Sequence, residues 1–308
     1  MAKEKVLSQM AVLAIVEANS GTYEEPTQVV PAQKSGIWDI EVDKDEIDPL
    51  SAYQGSKRTD IITDFANVPI ALEGRLPDSK DLIDVLLRGC GLVGVTDGNV
   101  TTYRYNTSDN KTLSLKQVAK RETTQVNGAR GSFKISAKAG EAVKITFDFK
   151  SNLKDVVELA SDAADNTIPD LADFGSVFMT KACDAYLLNA NNASLKEFEF
   201  DLKADVIATK ETCPGGCYTK DTKPEVTLKM SVTPDNEGAF SDLKSGKEFN
   251  LVVPFFDING IKRWEFHSPK LVVIDNKKPD EDGVLNVDRT LECRKVAGDD
   301  NFELKYFA

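Results

Sequence analysis

The chain is almost without histidine. His267 is the only one in 308 residues, so a Ser-His-Asp or Cys-His relay would have to be built on it, and no nucleophile-elbow sequence accompanies it. A structural or surface role is the expectation for that residue. No Gly-x-Gly-x-x-Gly precedes a helical pattern and no phosphate-cradling loop is present. The acidic residues are plentiful but scattered, with no spacing that singles out a pair of carboxylates for general acid–base work. The expectation is a protein that is not an enzyme and takes no cofactor or metal.

Long apolar runs are also missing. MAVLAIV, Met10 to Val16, is too short to span a bilayer and runs into Glu17, so neither membrane insertion nor a secretory leader is expected. Cysteine is sparse and odd in number: Cys90, Cys183, Cys213, Cys217 and Cys293. In a chain of this length that reads as reduced thiols made in the cytoplasm. Two of them bracket Pro-Gly-Gly in CPGGC, Cys213 to Cys217. A zinc site takes about four ligands, and the spacing does not supply the others. A tight turn between strands is the leading reading, with a local disulfide second. Positive charge is in deficit, 38 Lys and Arg against 50 Asp and Glu, for a net −12. Gripping phosphates needs clustered Lys and Arg. A sequence-reading nucleic-acid binder is therefore not expected, although an acidic surface suits a protein that lets DNA pass without holding it.

What is present is strand pattern. Hydrophobic residues make up 41% and charged residues 29%, enough for a sizeable core in one large domain or two ordinary ones. TLSLKQV, Phe198–Leu202, Val226–Val232, Phe249–Phe256, Ile261–Phe266, Lys270–Ile274, Leu285–Lys295 and Phe302–Tyr306 all read as strands, with an Asn-Gly turn in DINGIK. Ile61–Leu76 reads as a strand region in which Pro69 marks an edge or a break. Residues 24–60 carry Pro, Gly and Asp breaks and read as a long loop or arm with short strands. The best helix is residues 79–90. Asp78 or Ser79 would cap it, Leu82, Ile83, Leu86, Leu87 and Cys90 would share a face, and Gly91 stands past its end. Cys90 then reads as a small buried apolar group. LKDVVELASDAAD, from Leu153, is a second helix candidate. The fold class is mainly β, a sandwich or barrel-like sheet with one flanking helix.

The most regular stretch is NGARGSFKISAKAGEAVKITFDFK, residues 127–150. Phe133, Ile135 and Ala137 fall on one face, as do Val143, Ile145, Phe147 and Phe149. Lys134, Lys138, Lys144 and Lys150 fall on the other. The alternation describes a hairpin with a dry face and a wet face. Gly140 lies in its turn. Gly128 and Gly131, on either side of Arg130, serve positive φ or close backbone approach.

With LLRGCGL upstream and a Thr- and Tyr-rich stretch between, this hairpin resembles the major tail tube protein of long-tailed bacteriophages. The opening VLAIVEANSGTYEEPT, the stretch IKRWEFHSPKLVVI and the ending DGVLNVDRTLECRKVAGDDNFELKY are similar to parts of that family. The resemblance covers most of the chain and is weakest over residues 24–60 and 151–225. It implies one tail tube domain over residues 1–308. Its core would be about residues 1–150 with the hairpin at 131–150, and residues 151–308 would complete the sandwich or append a β-domain. It further implies a virion protein, assembled in the host cytoplasm, that forms hexameric rings stacked into a hollow tube for DNA delivery. Its partners would be copies of itself and other tail proteins such as the tape measure, terminator and distal tail proteins, with DNA only in passage. Gly128, Arg130, Gly131, Phe133, Ile135, Gly140, Val143, Ile145 and Phe147 are the expected contact hairpin between copies, since closing a sheet between subunits removes exposed edges. The lysines of the wet face stand against this, because a lumen should not attract DNA. They would have to point outward or be outweighed by acids. The alternative is a secreted β-sandwich adhesin or carbohydrate-binding module, which would show surface aromatics; the only tryptophans are Trp38 and Trp264.

Overall fold

The computed structural model describes residues 10–31, 38–47, 58–108, 111–160, 164–169, 175–179, 187–188, 191–192, 195–208, 216–231, 239–281, 284–298 and 300–308. In chain order the strands are β1 (Met10–Val16), β2 (Gln28–Val29), β3 (Glu41–Ile47) and β4 (Arg58–Arg75), then a 3₁₀ turn (Lys80–Leu82) and α1 (Asp84–Gly89). There follow β5 (Leu92–Asp97), β6 (Val100–Tyr105), β7 (Leu113–Ala119), β8 (Glu122–Lys138), β9 (Lys144–Glu158), β10 (Leu187–Leu188), β11 (Asn191–Asn192) and β12 (Leu195–Asp201). The rest are β13 (Ala204–Ala208), β14 (Cys217–Thr222), β15 (Glu225–Ser231), α2 (Ala239–Ser245), β16 (Glu248–Phe256), β17 (Lys262–Lys277), β18 (Asp280–Glu281), β19 (Val284–Cys293) and β20 (Glu303–Phe307). The protein is mainly β, and its sheets are antiparallel.

The sheet forks at β8. One side of β8 pairs with β9 along nearly its whole length. On the other side Thr123–Ala129 pairs with β7, while Lys134–Lys138 pairs with β12. From β7 the ladder passes to β1 and β2. From β12 it passes through β15 and β19 to β17. β17 forks in the same way. Its first part faces β20 and its second part faces β19, with β16 along the opposite side. β20 leads on to β6 and β5, and β9 leads on to β4. β13 and β14 form a separate two-stranded sheet.

The core fills the space the forked sheet encloses. Phe133 on β8 meets Phe200 on β12 at 5.4 Å between ring centroids, and Phe200 meets Phe302 at 4.7 Å. Phe198, Phe255 and Phe266 continue the cluster. These rings join the first and second halves of the chain, and each buried Phe contributes roughly 1.5–3 kcal/mol. The helix packs against β1, β5, β7 and β8 and buries Ile83, Leu86, Leu87 and Cys90.

Several expectations are corrected. The helix over 79–90 is a 3₁₀ turn and then a six-residue α-helix, interrupted at Ile83. The side chain of Ser79 makes no capping hydrogen bond. Gly91 does stand past the end, at φ 82°. A second short helix, α2, was not anticipated. LKDVVELASDAAD is no helix through Glu158, because Leu153, Val156 and Val157 continue the ladder with β8. Tertiary pairing overrides an ambiguous local period there. Lys262–Phe266 of the expected Ile261–Phe266 strand and Lys270–Ile274 belong to a single strand, β17. The Thr- and Tyr-rich stretch after LLRGCGL, for which no strand was expected, holds the β5–β6 hairpin. Val232 lies outside the described residues. Pro69 does occupy an edge, since beyond Asn67 strand β4 pairs only with β9 among the described residues.

Candidate functional site

The NGARG stretch is built as its two glycines require. Between Asn127 and Arg130 the pairing with β9 slips by one residue, which makes a β-bulge. Gly128 sits in it at φ 63°, a conformation other residues adopt only under strain. At Gly131 a Cβ would stand 2.3 Å from the carbonyl oxygen of Asp148, so β8 and β9 approach each other more closely than any side chain allows. Gly140 turns the hairpin at φ 85°, with the amide of Glu141 donating to Lys138 O at 3.0 Å.

Two buried charges flank the bulge. The carboxylate of Glu17 is wholly buried. One of its oxygens accepts Gly128 N–H and the Ser114 hydroxyl, both at 2.8 Å. The other accepts Gly21 N–H at 2.6 Å and the Thr112 hydroxyl. Four donors saturate a carboxylate and make its burial tolerable. The turn after β1 is thereby clipped to β7 and to the bulge. Arg130 is also buried. Its Nε donates to Thr219 Oγ1 at 2.7 Å and its Nη1 to Lys111 O at 3.1 Å. Gly216 of the CPGGC stretch packs over Gly21 and Gly128. The bulge is therefore the point where the N-terminal turn, the loop before β7 and the β13–β14 hairpin meet.

The structure places the expected contact residues inside. Phe133, Ile135, Val143, Ile145 and Phe147 are core side chains, and β8 over residues 134–136 and β9 over residues 144–150 have strand neighbours on both sides. The dry face proposed for a contact between copies is committed to the chain's own core. On the wet face Lys134 pairs with Glu199 at 2.7 Å, and Lys138 lies 3.9 Å from Glu197 and 3.7 Å from Glu141. Lys150 donates to Val206 O at 2.8 Å. Lys134 and Lys138 are thus answered by acids of β12, which were not visible as their neighbours in the sequence, whereas Lys150 is held by a carbonyl oxygen.

The remaining candidates resolve into structural roles. His267 Nδ1 stands 3.3 Å from Glu303 Oε2. Glu303 also accepts Arg104 Nε at 2.8 Å and pairs with Lys305 at 3.1 Å, so the group is an ion-pair ladder across β6, β20 and β17. Burial raises the Glu303 pKa, but hydrogen bonds from Arg104, Lys305 and His267 outweigh it and bring it to about 2. Burial pushes the Cys217 and Cys293 thiols up to about 12 and the Cys90 thiol well above the ordinary range. None is a ready thiolate. Cys183 and Cys213 lie outside the described residues. Among the described residues there is no group of three or more His, Cys, Asp or Glu placed to hold a metal. No helix among them is long and apolar enough to cross a membrane.

The sheet has margins along which no described strand pairs. Among the described residues β5 pairs only with β6, and β4 beyond Asn67 pairs only with β9. The first part of β4 pairs only with β3, which gives a two-stranded ribbon. Comparison with protein-family models and with curated proteins returns no match for this chain.

Proposed function

We propose that the chain is a self-assembling structural subunit of the phage tail tube kind, which completes its sheets with neighbouring copies to enclose a lumen for DNA. The observation that carries this reading is the β3–β4 ribbon. Glu41–Ile47 pairs with Arg58–Ile62 and Asn67 and, among the described residues, with no other strand. An isolated two-stranded ribbon is marginal in water, so a seven-residue strand as charged as EVDKDEI is best accounted for by a second copy that receives it. The open margin of β5 has the same logic, since an exposed edge templates pairing unless it is used. Net charge of −12, with Lys134 and Lys138 answered by acids, favours passage of DNA over its retention. The sequence resemblance points the same way. Both tryptophans are buried, so neither serves the surface stacking that a carbohydrate-binding module would need. Removing residues 42–62 and closing the gap with a Gly-Ser link tests the reading. Sedimentation should then show a folded subunit or free rings in place of tubes, and tubes of normal length would refute it.

A further inference from the structure

The chain holds two Asn-Gly pairs, Asn127-Gly128 and Asn259-Gly260, and the fold places them in opposite settings. Asparagine before glycine is the pairing most open to spontaneous loss of its side-chain amide. The backbone nitrogen of the glycine attacks the asparagine Cγ and closes a five-membered succinimide. The Cγ–Nδ2 bond breaks, and the amide nitrogen departs as ammonia with the glycine's proton. Water then opens the ring at either carbonyl and leaves aspartate or isoaspartate. Glycine favours the step because no Cβ obstructs the approach. Nothing but water is consumed, so local structure decides whether the reaction runs.

At Asn127 both reacting ends are tied. Its Nδ2, the leaving group, donates to Gly21 O at 2.6 Å. The nitrogen of Gly128, the nucleophile, donates to the buried Glu17 carboxylate at 2.8 Å. Asn127 is paired with Asn152 on β9, and its flanking residues Val126 and Ala129 are paired with Leu115 and Leu113 on β7. Ring closure would turn the Asn127–Gly128 peptide out of this ladder and strip a buried donor of its charged acceptor.

At Asn259 neither end is withheld. Residues 258–261 are exposed, and the Asn259 carboxamide has no hydrogen-bond partner among the described residues. The nitrogen of Gly260 makes one bond, to Asp257 O at 3.0 Å, at the tip of the turn. No atom stands within 4 Å of the place a Cβ of Gly260 would take. Exposed turns open locally at little cost, so this nitrogen is freed without disturbing the β16–β17 ladder behind it.

We propose that Asn259 is a site of spontaneous deamidation in the folded protein, and that the Glu17 clip keeps Asn127 intact. The inference stands apart from self-assembly. The isoaspartate product draws the Cβ of residue 259 into the main chain. It thereby upsets the spacing at which the Asp257 carboxylate holds the amides of residues 259 and 261.

The test is peptide mapping by mass spectrometry of the full chain, held for weeks in warm, mildly alkaline buffer with and without urea. In urea both asparagines should convert at similar rates, since each precedes a glycine. In the folded chain Asn259 should convert at least about tenfold faster than Asn127, as local opening is cheap at one site and costly at the other. In Glu17→Ala, shown by circular dichroism to remain folded, conversion of Asn127 should rise while that of Asn259 stays as in the wild type. An Asn259 that converts in urea but keeps its amide in the folded chain would overturn the site. Equal conversion of the two in the folded wild type would overturn the protection, and no rise at Asn127 in folded Glu17→Ala would overturn the part assigned to Glu17.

Discussion

Glu17→Ala is the most informative single substitution for the fold. The lost carboxylate leaves Gly128 N–H and Gly21 N–H without their charged acceptor in a buried site. Gly21 keeps only a longer bond to Thr112 Oγ1, at 3.1 Å. Two hydroxyls lose an acceptor as well, though each can rotate toward another group. A buried donor left unsatisfied costs about 1–3 kcal/mol, so two of them with partial relief for Gly21 come to about 2–5 kcal/mol. For a chain of this size each kcal/mol is worth roughly 2 °C in the melting midpoint, and the shift should be about 4–10 °C. Glu17→Gln should fall between the two, since one amide oxygen keeps one pair of donors while its NH₂ faces the other. Urea melts followed by far-ultraviolet circular dichroism give the free energies directly. A loss below about 0.5 kcal/mol for Glu17→Ala, the size of an ordinary surface change, would refute the idea that this carboxylate clips the N-terminal turn to the bulge.

Gly131→Ala should cost several kcal/mol or abolish soluble expression, because its Cβ would meet backbone at Asp148 O, whereas Gly98→Ala meets no atom within 4 Å and should cost about 1 kcal/mol for its positive φ; paired melts compare them. The folded pKa of Glu303 lies below its unfolded value, so its contribution to stability is fully present above the ordinary carboxylate range and is lost as pH falls toward about 2. Glu303→Gln should therefore flatten the acid limb of the stability profile between about pH 5 and 2 and leave its shape unchanged above that. Cys90, Cys217 and Cys293 are buried with raised thiols. Mass-spectrometric mapping should find them alkylated only after denaturant, and rapid labelling of any of the three in the native protein would contradict the burial.

Alternation was legible where a strand has one dry and one wet face. Residues 131–150 announced both faces, and Val226, Leu228 and Met230 did the same for β15. Breaks were harder to read. Pro269 looks like an end, yet β17 runs through it, because the ladder shifts between its pairings at Ser268 and Leu271 and the partner changes from β20 to β19. A proline fits where no regular ladder bond is due. The β5–β6 hairpin hid in Thr- and Tyr-rich composition, although Asp97-Gly98 is a turn signal that marks it. The roles of Glu17 and Arg130 could not be read locally. Their partners lie up to 111 residues away in sequence, and a buried charge shows in a sequence only as one more polar residue. The hairpin's apolar face was legible as buried, but a pattern of that kind does not say whether the surface it meets belongs to the same chain or to another.

Electron microscopy of the purified protein in negative stain tests the central claim most directly. Rings or hollow rods with a stain-filled channel are the expected result. A uniform population of single subunits, persisting at the highest concentration reached, would contradict it.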